Sequence, residues 1–277
     1  MARGRAAIPP EAGIDAAYWL GQAGFWVDLG GQRFLIDPYL SDSLAVKYAN
    51  TPFPHQRMMP VPVAPADLPR PDAVLITHAH TDHMDPDTLS ALVARYPDLR
   101  FIVPTAETSL ARARIGEHAR LDCVFVGVEI TFGQVQLSVF PSAHESRKQD
   151  ANGHDHYLGY GLSCGDMRLY HSGDTVPFDD LTRRLYQFKP DVALLPINGR
   201  DATRATNGVP GNMTLQEAIA LCQSCDIPRL IPHHFGLFDF NTASERDLAQ
   251  ARAHPVPPQI ELPCLLVPIP LGSPEDI

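Results

Sequence analysis

The sequence predicts a mixed α/β protein with β-sheets inside and helices outside. Three observations predict it. Short apolar, β-rich runs recur along all 277 residues, and each half opens with successive strand runs and continues in strand–helix alternation. No linker or short-period repeat separates the halves, so the chain reads as one domain over residues 1–277. Several predicted strands stop at a histidine or aspartate, and loops at strand ends are where α/β proteins place their chemistry.

Taken in order, residues 15–37 alternate as a meander. Runs at 17–20, 25–28 and 34–36 are strand-like, and Gly30-Gly31 marks a hairpin, because a two-residue turn needs φ > 0 at both positions. Residues 38–72 differ: Pro52, Pro54, Pro60, Pro62, Pro65, Pro69 and Pro71 forbid regular structure over most of the stretch. A loop this long in a compact domain is usually functional or mobile. It carries His55, Gln56, Arg57 and Met58 and leads into the next strand, so it is a candidate wall of a site; a proline-stiffened surface excursion is the plainer alternative.

Residues 73–77 read as a buried strand. Asp85 and Pro86 are an N-cap and first-turn pair for a helix carrying Leu89, Leu92, Val93 and Tyr96. A strand at 101–103 precedes a helix that Thr105 caps and Gly116 stops. Strands follow at 123–126, 128–131 and 135–139, then at 157–163 and 167–170 around a Gly165-Asp166 turn. Residues 177–187 form a short helix, 192–195 a buried strand, and Thr214 with Glu217 a capping box. A short strand at 230–231 ends at His233-His234, and 265–267 closes the core.

The net charge is −10, from 22 basic against 32 acidic residues, which argues against a nucleic-acid or anionic-membrane partner. No run approaches the length of a membrane span. The basic start, Met1-Ala2-Arg3-Gly4-Arg5, is followed by no apolar signal core, so a cytoplasmic protein is expected. Five cysteines do not make a secreted disulfide framework. Cys222 and Cys225 form a CxxC pair, but they share a predicted helix face with Leu215 and Ile219 and read as core.

The chemistry concentrates in His78-Ala79-His80-Thr81-Asp82-His83: three imidazoles and one carboxylate within six positions, between a strand end and a helix start. Later strand ends add His144, Asp174 and His234. Five histidines and two aspartates match two metal ions with one bridging carboxylate. Imidazole suits zinc, iron, manganese and nickel, and carboxylate favours the harder ions. Zinc or manganese is expected first, with iron or nickel compatible.

HxHxDH after a strand, then a lone histidine, an aspartate in Ser172-Gly173-Asp174-Thr175 and a late histidine resemble the metallo-β-lactamase-fold hydrolases along nearly the whole chain. That resemblance implies a four-layer αββα sandwich. Finer features resemble the ascorbate-6-phosphate lactonase-like (UlaG-like) branch: Trp19-Leu20-Gly21-Gln22-Ala23-Gly24-Phe25, Gln56-Arg57-Met58, Tyr170-His171-Ser172-Gly173-Asp174, Leu195-Pro196-Ile197-Asn198-Gly199-Arg200 and Gly211-Asn212-Met213. By the same resemblance His78, His80 and His144 bind a first metal, Asp82, His83 and His234 a second, and Asp174 bridges them. His234 is preferred to His233 because the family pattern is Pro-x-His and the proline here is Pro232. His233 is then a supporting partner. True β-lactamases usually carry Cys where Asp174 stands, and flavodiiron proteins Glu where His80 stands.

Two ions roughly 3.5–4 Å apart can share a water and lower its pKa from about 15.7 towards about 7. The hydroxide so formed attacks a carbonyl or phosphoryl centre, with Asp82 taking or orienting the proton. Asp37, at an early strand end, reads either as an acceptor that orients a ligand histidine or as a turn residue before Pro38. Arg57 and Arg200 are the anion-binding candidates, and Asn198 a partner for a hydroxyl or acyl oxygen. His154, Asp155 and His156 read as a solvated loop, and Glu145 and His171 as structural. The leading expectation is a hydrolase of a small anionic ester or lactone, by resemblance a sugar-phosphate lactone. A phosphodiesterase acting on a nucleotide or phospholipid is the alternative, and a fold kept for binding or sensing is the third reading. The resemblance also raises a homo-oligomer, which the residues themselves do not fix.

Overall fold

The computed structural model describes residues 14–272; the basic start Met1-Ala2-Arg3-Gly4-Arg5 lies outside the described residues. The strands and helices in order are β1 (Ala16–Gly21), β2 (Gly24–Leu29), β3 (Gln32–Ile36), α1 (Ser43–Lys47), β4 (Ala73–Leu75), α2 (Pro86–Arg95), β5 (Arg100–Pro104), α3 (Thr108–Ile115), β6 (Arg120–Val124), β7 (Glu129–Phe132), β8 (Val135–Pro141), β9 (Leu158–Cys164) and β10 (Met167–His171). Then follow α4 (Asp179–Phe188), β11 (Val192–Pro196), α5 (Ala202–Thr206), α6 (Leu215–Ser224), β12 (Arg229–His233), α7 (Glu245–Arg252), β13 (Gln259–Ile260) and β14 (Pro268–Pro270).

They form two seven-stranded sheets, ordered β14-β1-β2-β3-β4-β5-β6 and β13-β12-β11-β10-β9-β8-β7. Each sheet joins an antiparallel meander to parallel strands: β1–β3 lead into β4–β6, and β7–β10 into β11–β13. That repeat is what the sequence shows as two halves. Alternation decides the layers. Val27, Phe34 and Leu75 point from the first sheet into a core shared with Leu137, Tyr160 and Leu194 of the second. Trp26, Leu35 and Val74 point the other way, onto Leu89 and Leu92 of α2 and Ala111 and Ile115 of α3. Strands buried on both faces between helices make a four-layer α/β sandwich.

The hairpin at Gly30 and Gly31 has φ of 55° and 74°, the positive pair its turn requires. Asp85 caps α2 by accepting from Thr88 N, and Pro86 follows it. Thr214 and Glu217 form the expected capping box of α6. The expected helix after Thr105 opens as a 3-10 turn, Thr105–Glu107, before α3.

Three expectations shift. The strand expected at 123–126 begins at Arg120, because β6 is an edge strand that tolerates charge; Arg100 Nε donates to Asp122 across it at 2.7 Å. The closing strand is β14 rather than 265–267: Val267 is 52% exposed while Ile269 is buried between two prolines at the sheet edge. Loop 154–156 is tied down rather than solvated, with buried Asp155 paired to Arg147 and His156 Nδ1 2.6 Å from Glu107. Cys222 and Cys225 are free and buried, as core residues.

Candidate metal centre

The ends of β4, β8, β10 and β12 meet at one place, and every predicted metal ligand is carried there. The loop after β4 is fixed first. Asp37 accepts from Thr77 N at 2.8 Å and Thr77 Oγ1 at 2.6 Å, and its Oδ2 lies 2.7 Å from His83 Nδ1. All three residues are buried. With Nδ1–H donated to Asp37, the Nε2 of His83 faces inward as a ligand atom. A tight turn follows, with His83 N and Met84 N both donating to His80 O.

Two donor sets result. The ligand atoms of His78, His80 and His144 lie within 4.8 Å of one another, as do those of Asp82, His83 and His234. Asp174 stands between them. Its Oδ1 is 3.4 Å from His83 Nε2, and its Oδ2 is 3.5 Å from His144 Nε2 and 3.2 Å from His234 Nε2. His144 Nδ1 lies 2.9 Å from Gly211 O, which turns its Nε2 inward, and Glu145 accepts from Gly211 N to hold that carbonyl. Gly173, at φ 59°, lets the chain pass so close to Thr77 that an added Cβ would sit 2.7 Å from Thr77 Cβ.

Electrostatics sort the donors. Burial pushes His78 well below the usual imidazole range and His144 down to about 4, so both are neutral, the form that binds metal. Burial opposes charge on His83 and His234 too, but the carboxylates of Asp174 and Asp82, with Asp37 at His83, outweigh it: His83 is raised well up and His234 to about 9. Burial likewise works against Asp82 and Asp174, yet the same two histidines hold both well below the carboxylate range. Buried Asp174 and half-buried Asp82 draw positive charge to this spot. His78 Nε2 is buried with no partner within the protein, His83 Nε2 and Asp174 Oδ1 are buried with only each other, at 3.4 Å, and all three belong to the converging sets. Imidazole nitrogens and carboxylate oxygens aimed at shared points fit divalent cations.

His234 and His233 separate cleanly. The backbone turns left-handed at His234, φ 61°, which aims its ring into the site. His233 lies in the core, stacked on His171 at 4.9 Å with both ring nitrogens unpartnered. It makes no hydrogen bond to the site, so the expected supporting role for His233 is not what the geometry gives; an alternating strand sends neighbouring side chains to opposite faces.

The three expected substrate contacts are also elsewhere. A cavity of about 320 Å³ opens over His80, Asp82, His144, Asp174 and His234, and neither Arg57, Asn198 nor Arg200 lines it. Arg57 donates to the carbonyls of Tyr39, Ser41 and Met59, tying the proline-rich loop to the end of β3. Arg200 is paired through both terminal nitrogens with Glu217, the capping-box residue of α6. Asn198 donates to Asn241 and accepts from Asn212.

Two neighbours of the donors escaped sequence reading. Gln22, fully buried and at φ 52°, donates from Nε2 to Asp82 Oδ2 at 2.9 Å, and its backbone carbonyl accepts from His234 N at 3.0 Å. Its signal was the hairpin motif around Trp19, with no charge to mark a role. The Tyr157 ring packs on His78, His80 and His144 at 5.3–6.0 Å between centroids.

Comparison with known proteins gives the family. Residues 32–235 match the model of the β-lactamase superfamily domain. A UPF0173 metal-dependent hydrolase of Pyrobaculum aerophilum is 30% identical over 224 residues, covering 79% of this chain and 84% of the relative. An N-acyl-phosphatidylethanolamine-hydrolyzing phospholipase D of Caenorhabditis elegans is 28% identical over 203 residues, 68% of this chain and 54% of that one. Among solved structures, an isothiocyanate hydrolase from Delia radicum gut bacteria shares the fold with a TM-score of 0.74 at 19% identity, over 93% of this chain and all of that one. The chain therefore belongs to the β-lactamase superfamily, within its UPF0173 family of metal-dependent hydrolases.

Proposed function

We propose that the protein hydrolyses a small anionic ester or lactone with two divalent metal ions, zinc or manganese first, held by His78, His80 and His144 on one side and Asp82, His83 and His234 on the other, with Asp174 between. The observation that carries this reading is the convergence of seven buried or half-buried donors, from four strand ends, beneath one open cavity. Bound there, the ions supply an activated water and a Lewis acid for the oxygen that gains charge. The protein's own residues do the rest. Asp37 keeps His83 in one tautomer, and Gly211 O does the same for His144. Asp82 lines the cavity and is ionised. Its low proton affinity suits it to orienting the attacking water more than to storing the proton. Water adds across the acyl–oxygen bond, giving the acid and the alcohol.

A phosphodiester substrate is the second reading, favoured by the name of the Caenorhabditis elegans relative. The sugar-phosphate refinement has less support, since the two arginines expected to hold a phosphate are engaged elsewhere. The test is metal analysis with a substrate panel. Two equivalents of metal after reconstitution, and at least a hundredfold loss of kcat/KM in His80→Ala, are expected. Fewer than two equivalents would remove the two-ion reading. Turnover of bis-p-nitrophenyl phosphate with no turnover of any lactone or ester would replace the first substrate class by the second.

A further inference from the structure

The cavity over the metal donors has a second wall whose chemistry bears on the substrate. The proline-rich loop builds that wall from Leu44, Tyr48, Phe53 and His55, joined by Phe238 from the segment after β12. The rings support one another. Tyr48 stacks on His55 at 4.4 Å and 22°, His55 meets Phe238 edge-on at 5.0 Å and 69°, and Phe53 packs on Phe240 at 4.6 Å. His55 Nδ1 lies 2.6 Å from Phe53 O, and burial lowers the ring's proton affinity, so the ring is neutral. The wall is thus largely prebuilt and aromatic.

Several polar groups around it are already engaged. Asn207 donates to Thr203 O, and Asn241 Oδ1 accepts from both Asn198 and Arg204. Arg114 donates to the carbonyls of Ala79 and Met84, bracing the ligand loop. Lys47 adds a positive charge. Its ammonium sits at the rim, 3.4 Å from Thr81 Oγ1 and 5.0 Å above the Tyr48 ring, and among the described residues it makes no ion pair.

We propose that this cavity selects an anionic substrate bearing an aryl group: the ring lies against Tyr48, His55 and Phe238, the charge faces Lys47, and the hydrolysed centre sits over the metal donors. This deepens the reading of the cavity as the substrate site and rests on it. Aromatic rings gain from stacked and edge-on contacts with such a wall, and a surface ammonium steers an anion without demanding a fixed geometry.

The test separates recognition from chemistry. Binding of benzylphosphonate, methylphosphonate and 3-hydroxypropylphosphonate to the metal-reconstituted protein is measured by calorimetry. Benzylphosphonate is expected to bind at least tenfold tighter than either of the others. Phe238→Ala should remove most of that advantage while changing methylphosphonate affinity less than twofold. Because Phe238 also packs on Tyr39, His55→Ala serves as a second variant with the same expected loss should Phe238→Ala fold poorly. Lys47→Met should weaken both benzyl- and methylphosphonate threefold or more at low salt, with the difference shrinking as salt is added. Equal affinity for benzyl- and methylphosphonate, or preference for the hydroxypropyl compound, overturns the proposal, as does a wild-type aryl advantage that both wall variants retain. Turnover of lactones and esters is scored separately. Its absence beside an intact aryl preference counts against the ester reading alone.

Discussion

Gln22→Leu isolates the second donor set. The substitution keeps most of the side-chain volume and both backbone bonds, from Trp19 Nε1 and His234 N to the residue 22 carbonyl. What it removes is the amide whose Nε2 donates to Asp82 Oδ2 at 2.9 Å and lies 3.1 Å from His234 Nε2. A hydrogen bond to a buried charged group contributes about 1.5–3 kcal/mol. At about 1.4 kcal/mol per tenfold, that is roughly a 10- to 150-fold loss of affinity for the ion proposed at Asp82, His83 and His234. Outer partners of metal ligands show about the same 10–100-fold range. None of His78, His80 or His144 bonds to Gln22, so the other set should keep its affinity. The assay is stepwise cobalt titration against a competing chelator, followed by the visible absorption of each equivalent. One equivalent should bind as in the wild type and the other 10- to 100-fold more weakly. Two equivalents with wild-type affinities, or equal weakening of both, would refute the idea that Gln22 positions the Asp82–His83–His234 set.

Other outcomes follow from the same packing. Asp37→Ala leaves Thr77 N, Thr77 Oγ1 and His83 Nδ1 buried without their acceptor; unfolding of the chelator-treated protein should show a loss of about 3–5 kcal/mol, as for other broken buried pairs. Gly173→Ala puts a Cβ 2.7 Å from Thr77 Cβ at φ 59°, so soluble variant protein should bind metal more weakly and melt lower. Adding zinc or manganese at about a hundred times Kd should stabilise the folded state by about 2.7 kcal/mol, read as a rise in Tm that a chelator reverses. Thiol labelling of the native protein should find Cys123 and Cys264, both exposed, reacting first; burial pushes Cys225 up to about 11 and Cys222 higher still, so that pair should react only on unfolding.

The converging set of histidines and aspartates was legible because metal chemistry restricts residue type, and because its members lie on loops that follow strand ends. His234, after Pro232, is the one of the adjacent pair that joins the set. The substrate contacts were not legible, because an arginine on a loop goes wherever its partner is. Glu217 was readable as a capping residue, yet nothing in the sequence says that Arg200 lands on it. Arg57 looked available for an anion; the loop it sits in needed a donor for three carbonyls. Gln22 carried no charge and sat in a turn, so its reach to Asp82 depended on the packing of a hairpin against a loop 60 residues away. The aromatic wall was hidden for a similar reason: its rings lie between prolines with no periodicity, and they meet Phe238 only in the folded chain.

That wall is also mechanically joined to the ligand loop. Leu40 N donates to Thr88 Oγ1 at 2.9 Å, Ser43 Oγ to Asp85 Oδ1 at 2.7 Å, and Lys47 reaches Thr81. Asp85 and Thr88 form the cap of α2, the helix that immediately follows the His78–His83 cluster. The start of the proline-rich segment is therefore anchored to the same helix start that fixes the metal donors, and prolines limit how far the remainder can stray. Substrate wall and metal floor keep their relative position although they are distant in sequence. Tyr48, Phe53 and His55 lie beyond those anchors and bond to no metal donor. Substitutions among them should change which substrate is accepted while leaving metal affinity as it was, whereas loss of the Ser43–Asp85 bond should disturb both.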